Sequence, residues 1–282
     1  MKKIKHYTGD PLAFYTDVRD SKRDVALKNS LRTIQPKMET LYRVYNDAFS
    51  HRQLHTLTPD NSLTDAQRTH LASLYNYHAA PFKRLMNELT TNEYDQQDKT
   101  CPFCTINSAS TFDHILPKSV FDEYAVHPLN LIPCCAECNG HKSDEWAKTD
   151  ALKFLNLYQD ELPNEQYLYV DLMVVNGMVK ARFFVQNRGN IDLGLYERIE
   201  DTYTTMQLCR RFQERCADEL YELALSIQSA LVAGTSVERI KTSILRDADR
   251  LRQRKGYNYW KAVLKSTCCT DDDAFLCLMN MR

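Results

Sequence analysis

The sequence predicts a mainly α fold carrying a small α+β insert. Three observations lead there. Only 7 glycines occur among 282 residues, too few turn residues for a large all-β fold. Apolar residues recur at helical spacing in long stretches toward both ends. Between those stretches, five of the ten cysteines (Cys101, Cys104, Cys134, Cys135 and Cys138) fall within 38 residues. The expected organisation is an N-terminal helical arm over 1–95, a cysteine-rich module over 96–155, and a β-hairpin with a C-terminal helical region over 156–282.

In chain order, Val25, Leu27, Leu31, Ile34, Met38, Leu41, Val44 and Tyr45 mark a helical stretch between about Leu12 and Phe49, which Pro36 kinks or divides. Thr64 with Gln67 forms a capping-box pattern opening a second helix to about Thr91. Its apolar set is Leu71, Leu74, Tyr75, Ala79, Phe82 and Leu85. Within the module, 111–117 and 130–133 have extended character, and a helix starts near Cys138. The alternating runs 167–175 and 178–185 flank Asn176-Gly177, the strongest short hairpin signal. Helical character resumes from Leu193 to Val232, and a basic helix spans Val237 to Arg254. Cys209, Cys216, Cys268, Cys269 and Cys277 lie in apolar helical contexts and read as small buried hydrophobes.

Cys101-Pro-Phe-Cys104 and Cys135-Ala-Glu-Cys138 are two C-x-x-C knuckles separated by 30 residues. Each knuckle presents two thiolates from a tight turn, so the pair predicts one tetrahedral zinc ion. Four thiolates leave no open coordination position, which makes the metal structural. Cys134 is the alternative to Cys135, with a three-residue spacer. Between the knuckles stand Asp113-His114, then Asn130, Asn139 and Lys142, in the pattern Asp-His-x15-Asn-x8-Asn-x2-Lys.

On those residues the segment from Cys101 to Lys148 resembles the HNH nucleases, the ββα-metal family. Here the third letter is Asn139, an H-N-N variant. The resemblance implies a two-stranded hairpin crossed by a helix and holding one catalytic divalent ion, Mg2+ or Mn2+. It implies His114 as general base, Asp113 and Asn139 as metal ligands, and Asn130 as the residue that ties the loop and positions the base. The chemistry suits those residue types. An imidazole titrates near neutrality, and carboxylate and amide oxygens are hard donors. Lys142, three residues after Asn139, is expected on the same helical face and in contact with phosphate; His141 points elsewhere.

Composition sets the limits. With 43% hydrophobic and 26% charged residues the chain is an ordinary globular one, with no run long enough to span a membrane. The first residues show no signal peptide, so a cytoplasmic protein is expected. A net charge of −1 excludes coating of nucleic acid by bulk charge, not contact at a local site. The module from Cys101 to Lys148 is itself acidic, with 3 basic and 6 acidic side chains. Residues 1–53 (11 basic, 6 acidic) and 239–265 (9 basic, 2 acidic) are the positive arms. Arg246, Arg250 and Arg254 share a helical face there, read either as a nucleic-acid contact or as a solvated face. Tyr257, Tyr259 and Trp260 read as core aromatics or as stacking platforms.

The expected function is therefore a metal-dependent endonuclease acting on nucleic acid, DNA rather than RNA. HNH modules with helical arms also resemble the nuclease subunits of Septu-type anti-phage systems, which implies a controlling ATPase or other regulatory partner and a role in antiviral defence. The competing reading is a non-catalytic zinc module that binds nucleic acid or protein.

Overall fold

The structure is a computed structural model describing residues 1–92, 95–142 and 144–281. It is mainly helical, with two small antiparallel two-stranded sheets, and it forms two compact units. One runs Lys3–Glu161; the other comprises Leu162–Arg282 with Met1–Lys2.

In the first unit, α1 (Pro11–Asp20), α2 (Val25–Thr33) and α3 (Gln35–Ser50) replace the long helical stretch expected there. Asp10 and Asp24 cap α1 and α2 through their side chains, and Pro36 sits in the first turn of α3, where its missing N–H costs nothing. The buried stripe of α3 is Met38, Tyr42, Tyr45 and Phe49; Val25 and Val44, expected inside, are exposed. Tyr45 is buried as expected, and Tyr42 is buried beside the half-buried Leu41.

The helix expected from Thr64 to Thr91 is two helices, α4 (Asp65–Ala72) and α5 (Ala80–Thr90). The Thr64–Gln67 capping box is present. The break falls at a turn in which the Asn76 side chain accepts from His78 N–H at 3.0 Å, and Pro81 restarts the helix at its first turn. The short sheet pairs β1 (Thr111–His114) with β2 (Leu131–Cys134), with Thr111 opposite Cys134 and His114 opposite Leu131. The helix α6 (Ala136–His141) follows and packs on β1. One apolar core joins these parts: Phe14, Met38, Tyr42 and Phe82 of the helices share it with Phe112, Val126 and Leu131 of the module.

In the second unit, β3 (Leu168–Val175) pairs with β4 (Met178–Val185). Asn176 and Gly177, both at positive φ (53° and 73°), make the two-residue turn that the Asn-Gly signal predicts. The expected helix Leu193–Val232 is interrupted: α7 (Leu193–Thr205) and α8 (Leu208–Val232) meet at Gln207, held at φ 51°. The helices α9 (Val237–Lys255), α10 (Trp260–Thr270) and α11 (Asp272–Asn280) complete the unit. Trp260 stacks on Phe212 at 5.5 Å and meets Phe183 edge-on, so Trp260 and the buried Tyr259 are core aromatics. The Asn258 amide binds the backbone N–H groups of Tyr167 and Leu168 and the carbonyl of Glu165, fixing the start of β3. Among the described residues, no helix is long and apolar enough to cross a membrane.

Candidate active site and metal centre

The four knuckle cysteines converge. The Sγ atoms of Cys101, Cys104, Cys135 and Cys138 all lie within 4.8 Å of one another, and all four residues are buried. A zinc–sulfur bond of about 2.3 Å in a tetrahedron requires sulfur–sulfur edges of about 3.8 Å. The Cys104–Cys135 separation is 3.8 Å. The residues fit a closed zinc site. Cys134, the alternative ligand, is buried outside the cluster.

Each knuckle is preorganised by its backbone. Thr105, at φ 54°, turns the chain so that its N–H reaches the Cys101 carbonyl (2.9 Å) and the Ile106 N–H reaches Cys104 Sγ (3.4 Å). Cys135 caps α6 and accepts from the Cys138 N–H at 3.4 Å. The Asn107 amide donates to Glu137 at 2.8 Å, tying one knuckle to the other. Hydrogen bonds among the thiols push Cys101 and Cys138 up and hold Cys104 and Cys135 down. Four thiolates packed in a buried space need a cation, and a divalent ion offsets two of their four negative charges.

β1 carries Asp113 and His114 on neighbouring positions, and their side chains diverge as the strand pleat requires. Asp113 is 4% exposed, and its Oδ2 accepts from Lys142 Nζ at 2.8 Å. The same ammonium donates to the His114 carbonyl at 2.6 Å. Burial pushes the Asp113 carboxyl up, and the Lys142 charge opposes that shift. Lys142 does not share a helical face with Asn139. The helix α6 ends at His141, and Lys142 is its extended C-cap, which lets the side chain fold back onto β1. Asn139 is half-buried on α6, and its side chain makes no hydrogen bond among the described residues. The Asp113 carboxylate and the Asn139 amide are hard donors of the kind Mg2+ or Mn2+ takes.

His114 lies on the other side of the strand. Its Nε2 is 2.9 Å from the Ala125 carbonyl, an acceptor, so Nε2 carries the proton. Among the described residues its Nδ1 makes no hydrogen bond. Burial pushes the ring down to about 3, with Lys118 and Lys142 adding to the shift. The imidazole is therefore neutral at physiological pH, with a lone pair at Nδ1. Tyr75 packs edge-on against this ring at 4.6 Å and is itself anchored by its hydroxyl on the Phe112 carbonyl. Lys118 lies over the other part of the Tyr75 ring at 4.9 Å.

Asn130 is fully buried and uses all of its amide. Its Nδ2 donates to the carbonyls of Leu116 (3.0 Å) and Tyr124 (3.1 Å); its Oδ1 accepts from Leu116 N–H (2.7 Å) and the Tyr45 hydroxyl (3.1 Å). This one side chain clamps both ends of the loop that supplies Ala125 to His114. Beneath it His127 is enclosed by Tyr42 and Tyr45, with ring centroids at 4.4 and 4.1 Å.

The chain is similar to protein ea31 of Escherichia phage lambda. The two are 24% identical over 258 residues, covering 84% of this chain and 85% of that protein. No family model matches the chain, and no solved structure matches it.

Sequence reasoning found the cluster and the Asp-His pair because their spacing is local. It missed the Lys142–Asp113 ion pair, the Ala125 partner of His114 and the Tyr75–Lys118 wall, which all depend on folding of distant segments. Arg246, Arg250 and Arg254 lie exposed on α9 in the second unit, and Arg250 is partly offset by Asp247 at 3.3 Å.

Proposed function

We propose that the chain is a metal-dependent endonuclease of the HNH type that hydrolyses phosphodiester bonds in nucleic acid, DNA in preference to RNA. The observation that carries this reading is His114: a neutral imidazole with Nε2 pinned to a backbone carbonyl and Nδ1 without a hydrogen bond among the described residues, on a strand between two cysteine knuckles. In this reading Nδ1 takes the proton of the attacking water. The Ala125 carbonyl then stabilises the imidazolium through Nε2–H. An anionic phosphate beside the ring raises its basicity from the low value that burial imposes.

Asp113 and Asn139 would hold one Mg2+ or Mn2+ ion, which supplies Lewis-acid stabilisation of charge on the phosphate. Lys142 donates to one carboxylate oxygen of Asp113, and the same carboxylate would hold that ion. Asn130 positions the base without touching the reactants. The four-cysteine zinc site holds the strand–strand–helix module together. The reading extends to control by an ATPase-type partner in anti-phage defence; co-purification with an ATPase encoded beside the gene, and altered cleavage in its presence, tests that extension.

The direct test is cleavage of plasmid, oligonucleotide DNA and RNA by zinc-loaded protein in Mg2+ or Mn2+. Loss of a general base costs about 10²–10⁴ in rate, so His114→Ala should fall by that much. Equal cleavage by wild type and His114→Ala refutes the assignment. A wild type that cleaves none of these substrates leaves the non-catalytic zinc module as the function.

A further inference from the structure

A cleft beside the proposed site has the chemistry of a nucleic-acid groove, although none of its residues stands out in the sequence. Its volume is about 390 Å³, and Tyr77, His78, Lys83, Asn87, Lys99 and Ser110 are among the residues that line it. They come from the turn before α5, from α5 itself and from the chain entering β1. Among the described residues the wall contains two lysines and a histidine and no carboxylate. Both lysines are exposed, and neither makes an ion pair among the described residues. That contrasts with α9, where Asp247 and Asp249 pair with Arg250 and Arg252.

The cleft is continuous with His114 through aromatic rings. Tyr77 is 39% exposed and has the His78 ring beside it at 4.1 Å. Tyr77 meets Tyr75 at 6.3 Å, and Tyr75 meets His114 at 4.6 Å. Lys118 sits over Tyr75 on the same path. Along the backbone, Ser110 at the cleft is followed directly by β1, whose last residue is His114. Four strand residues span about 13 Å, the reach of a few nucleotides. Exposed aromatic faces stack only on unpaired bases, because a base inside a duplex has both faces covered.

We propose that this cleft is a subsite for single-stranded nucleic acid: an unpaired base rests on Tyr77 and His78, and the adjoining phosphates lie on Lys83 and Lys99. The strand then continues past Lys118 and Tyr75 to His114. The proposal rests on the nuclease reading for the direction of the strand, not for the existence of binding. It also supplies positive charge within the same compact unit as His114, where the acidic module has little.

The test measures binding apart from cleavage. Fluorescence anisotropy of labelled single-stranded DNA, and of the matching duplex, is read with folded, zinc-loaded His114→Ala protein as background. Single-stranded DNA should bind more tightly than duplex. Adding Lys83→Ala and Lys99→Ala together should weaken binding at least about tenfold and flatten the slope of log affinity against log salt by about 1.4, two contacts at 0.7 each. Tyr77→Ala should cost roughly 5- to 100-fold, and Tyr77→Phe should restore it. Unchanged affinities, tighter duplex binding or no binding of single strands overturn the subsite. Loss on Arg246→Ala and Arg250→Ala with none on Lys83→Ala and Lys99→Ala overturns it as well. If these binding results hold while wild type cleaves nothing, the nuclease reading fails and the subsite stands; cleavage with a cleft insensitive to substitution gives the reverse.

Discussion

Replacing Lys142 with methionine should destabilise the first unit severely, and replacing Asp113 at the same time should return most of the loss. The two side chains are 8% and 6% exposed, and Lys142 also supports the His114 carbonyl. Methionine keeps an unbranched apolar side chain and removes the charge, the donors and the contact of Nζ with the Phe154 ring at 5.5 Å. Breaking a buried pair from one side costs about 3–5 kcal/mol, a large part of the 5–15 kcal/mol that typically holds a domain together. Asp113→Asn with Lys142→Met leaves no buried charge, so the double variant should lose at least about 2 kcal/mol less than the sum of the singles.

The sign with pH follows from the carboxyl. Burial raises Asp113, and removing Lys142 removes what opposes that rise. An acid whose folded value lies above its unfolded one binds more protons folded, so stability falls as pH rises through the folded value. The Lys142→Met deficit should therefore shrink between pH 7.5 and 5.5. Urea denaturation followed by near-ultraviolet circular dichroism reads both effects. Single losses that add to within about 0.5 kcal/mol, or a deficit that grows on acidification, would refute the reasoning.

Other outcomes follow from the same structure. Purified protein should contain one zinc per chain by elemental analysis; Cys101→Ser or Cys138→Ser should lose it with the fold of the module, and Cys134→Ser should keep it. Asn130→Ala strands two carbonyls, an N–H and a hydroxyl in the interior and should cost at least about 3 kcal/mol in denaturation, a loss that Asn130→Asp only partly recovers. Burial holds His127 down to about 3 against about 6.5 unfolded, so the unfolded chain takes up the extra proton as pH falls. That residue should account for about 2 kcal/mol of the stability lost between pH 7 and pH 5, and His127→Phe should lose correspondingly less over that interval. Equal losses in both proteins would show that the ring is not sealed as its surroundings indicate.

Features set by neighbours in sequence were legible in it: the two C-x-x-C knuckles, the Asn-Gly hairpin, the Thr64 capping box and the Asp113-His114 pair. Those set by tertiary contact were not. The Thr64–Thr91 stretch keeps a helical apolar period, yet Asn76 satisfies its own turn and Pro81 begins a new helix, so the break depends on a local competition that periodicity does not register. Gln207 adopts a left-handed conformation with no glycine or asparagine to signal it. Lys142 stands three positions after Asn139, the spacing of a helical face, but α6 ends at His141 and is too short for that rule to apply. The cleft at Tyr77 was invisible because its lysines come from segments 16 residues apart, each with an unremarkable local charge.

Phe112, Val126 and Leu131 of the module share an interior with Phe14, Met38, Tyr42 and Phe82 of the preceding helices. Any attempt to transplant the Asp113-His114 strand into another scaffold must therefore carry residues 3–161 as a whole. A fragment cut at the expected boundary near residue 95 would expose the apolar face of β1, the face that Phe112 shares with His114. It would also remove Tyr45, which helps hold Asn130, and Tyr75, which walls the imidazole. Helices that look in the sequence like a separate arm are in this sense the floor beneath Asp113 and His114. Under the proposed nuclease function, variation in them should be read out as changes in cleavage rate as readily as changes in binding.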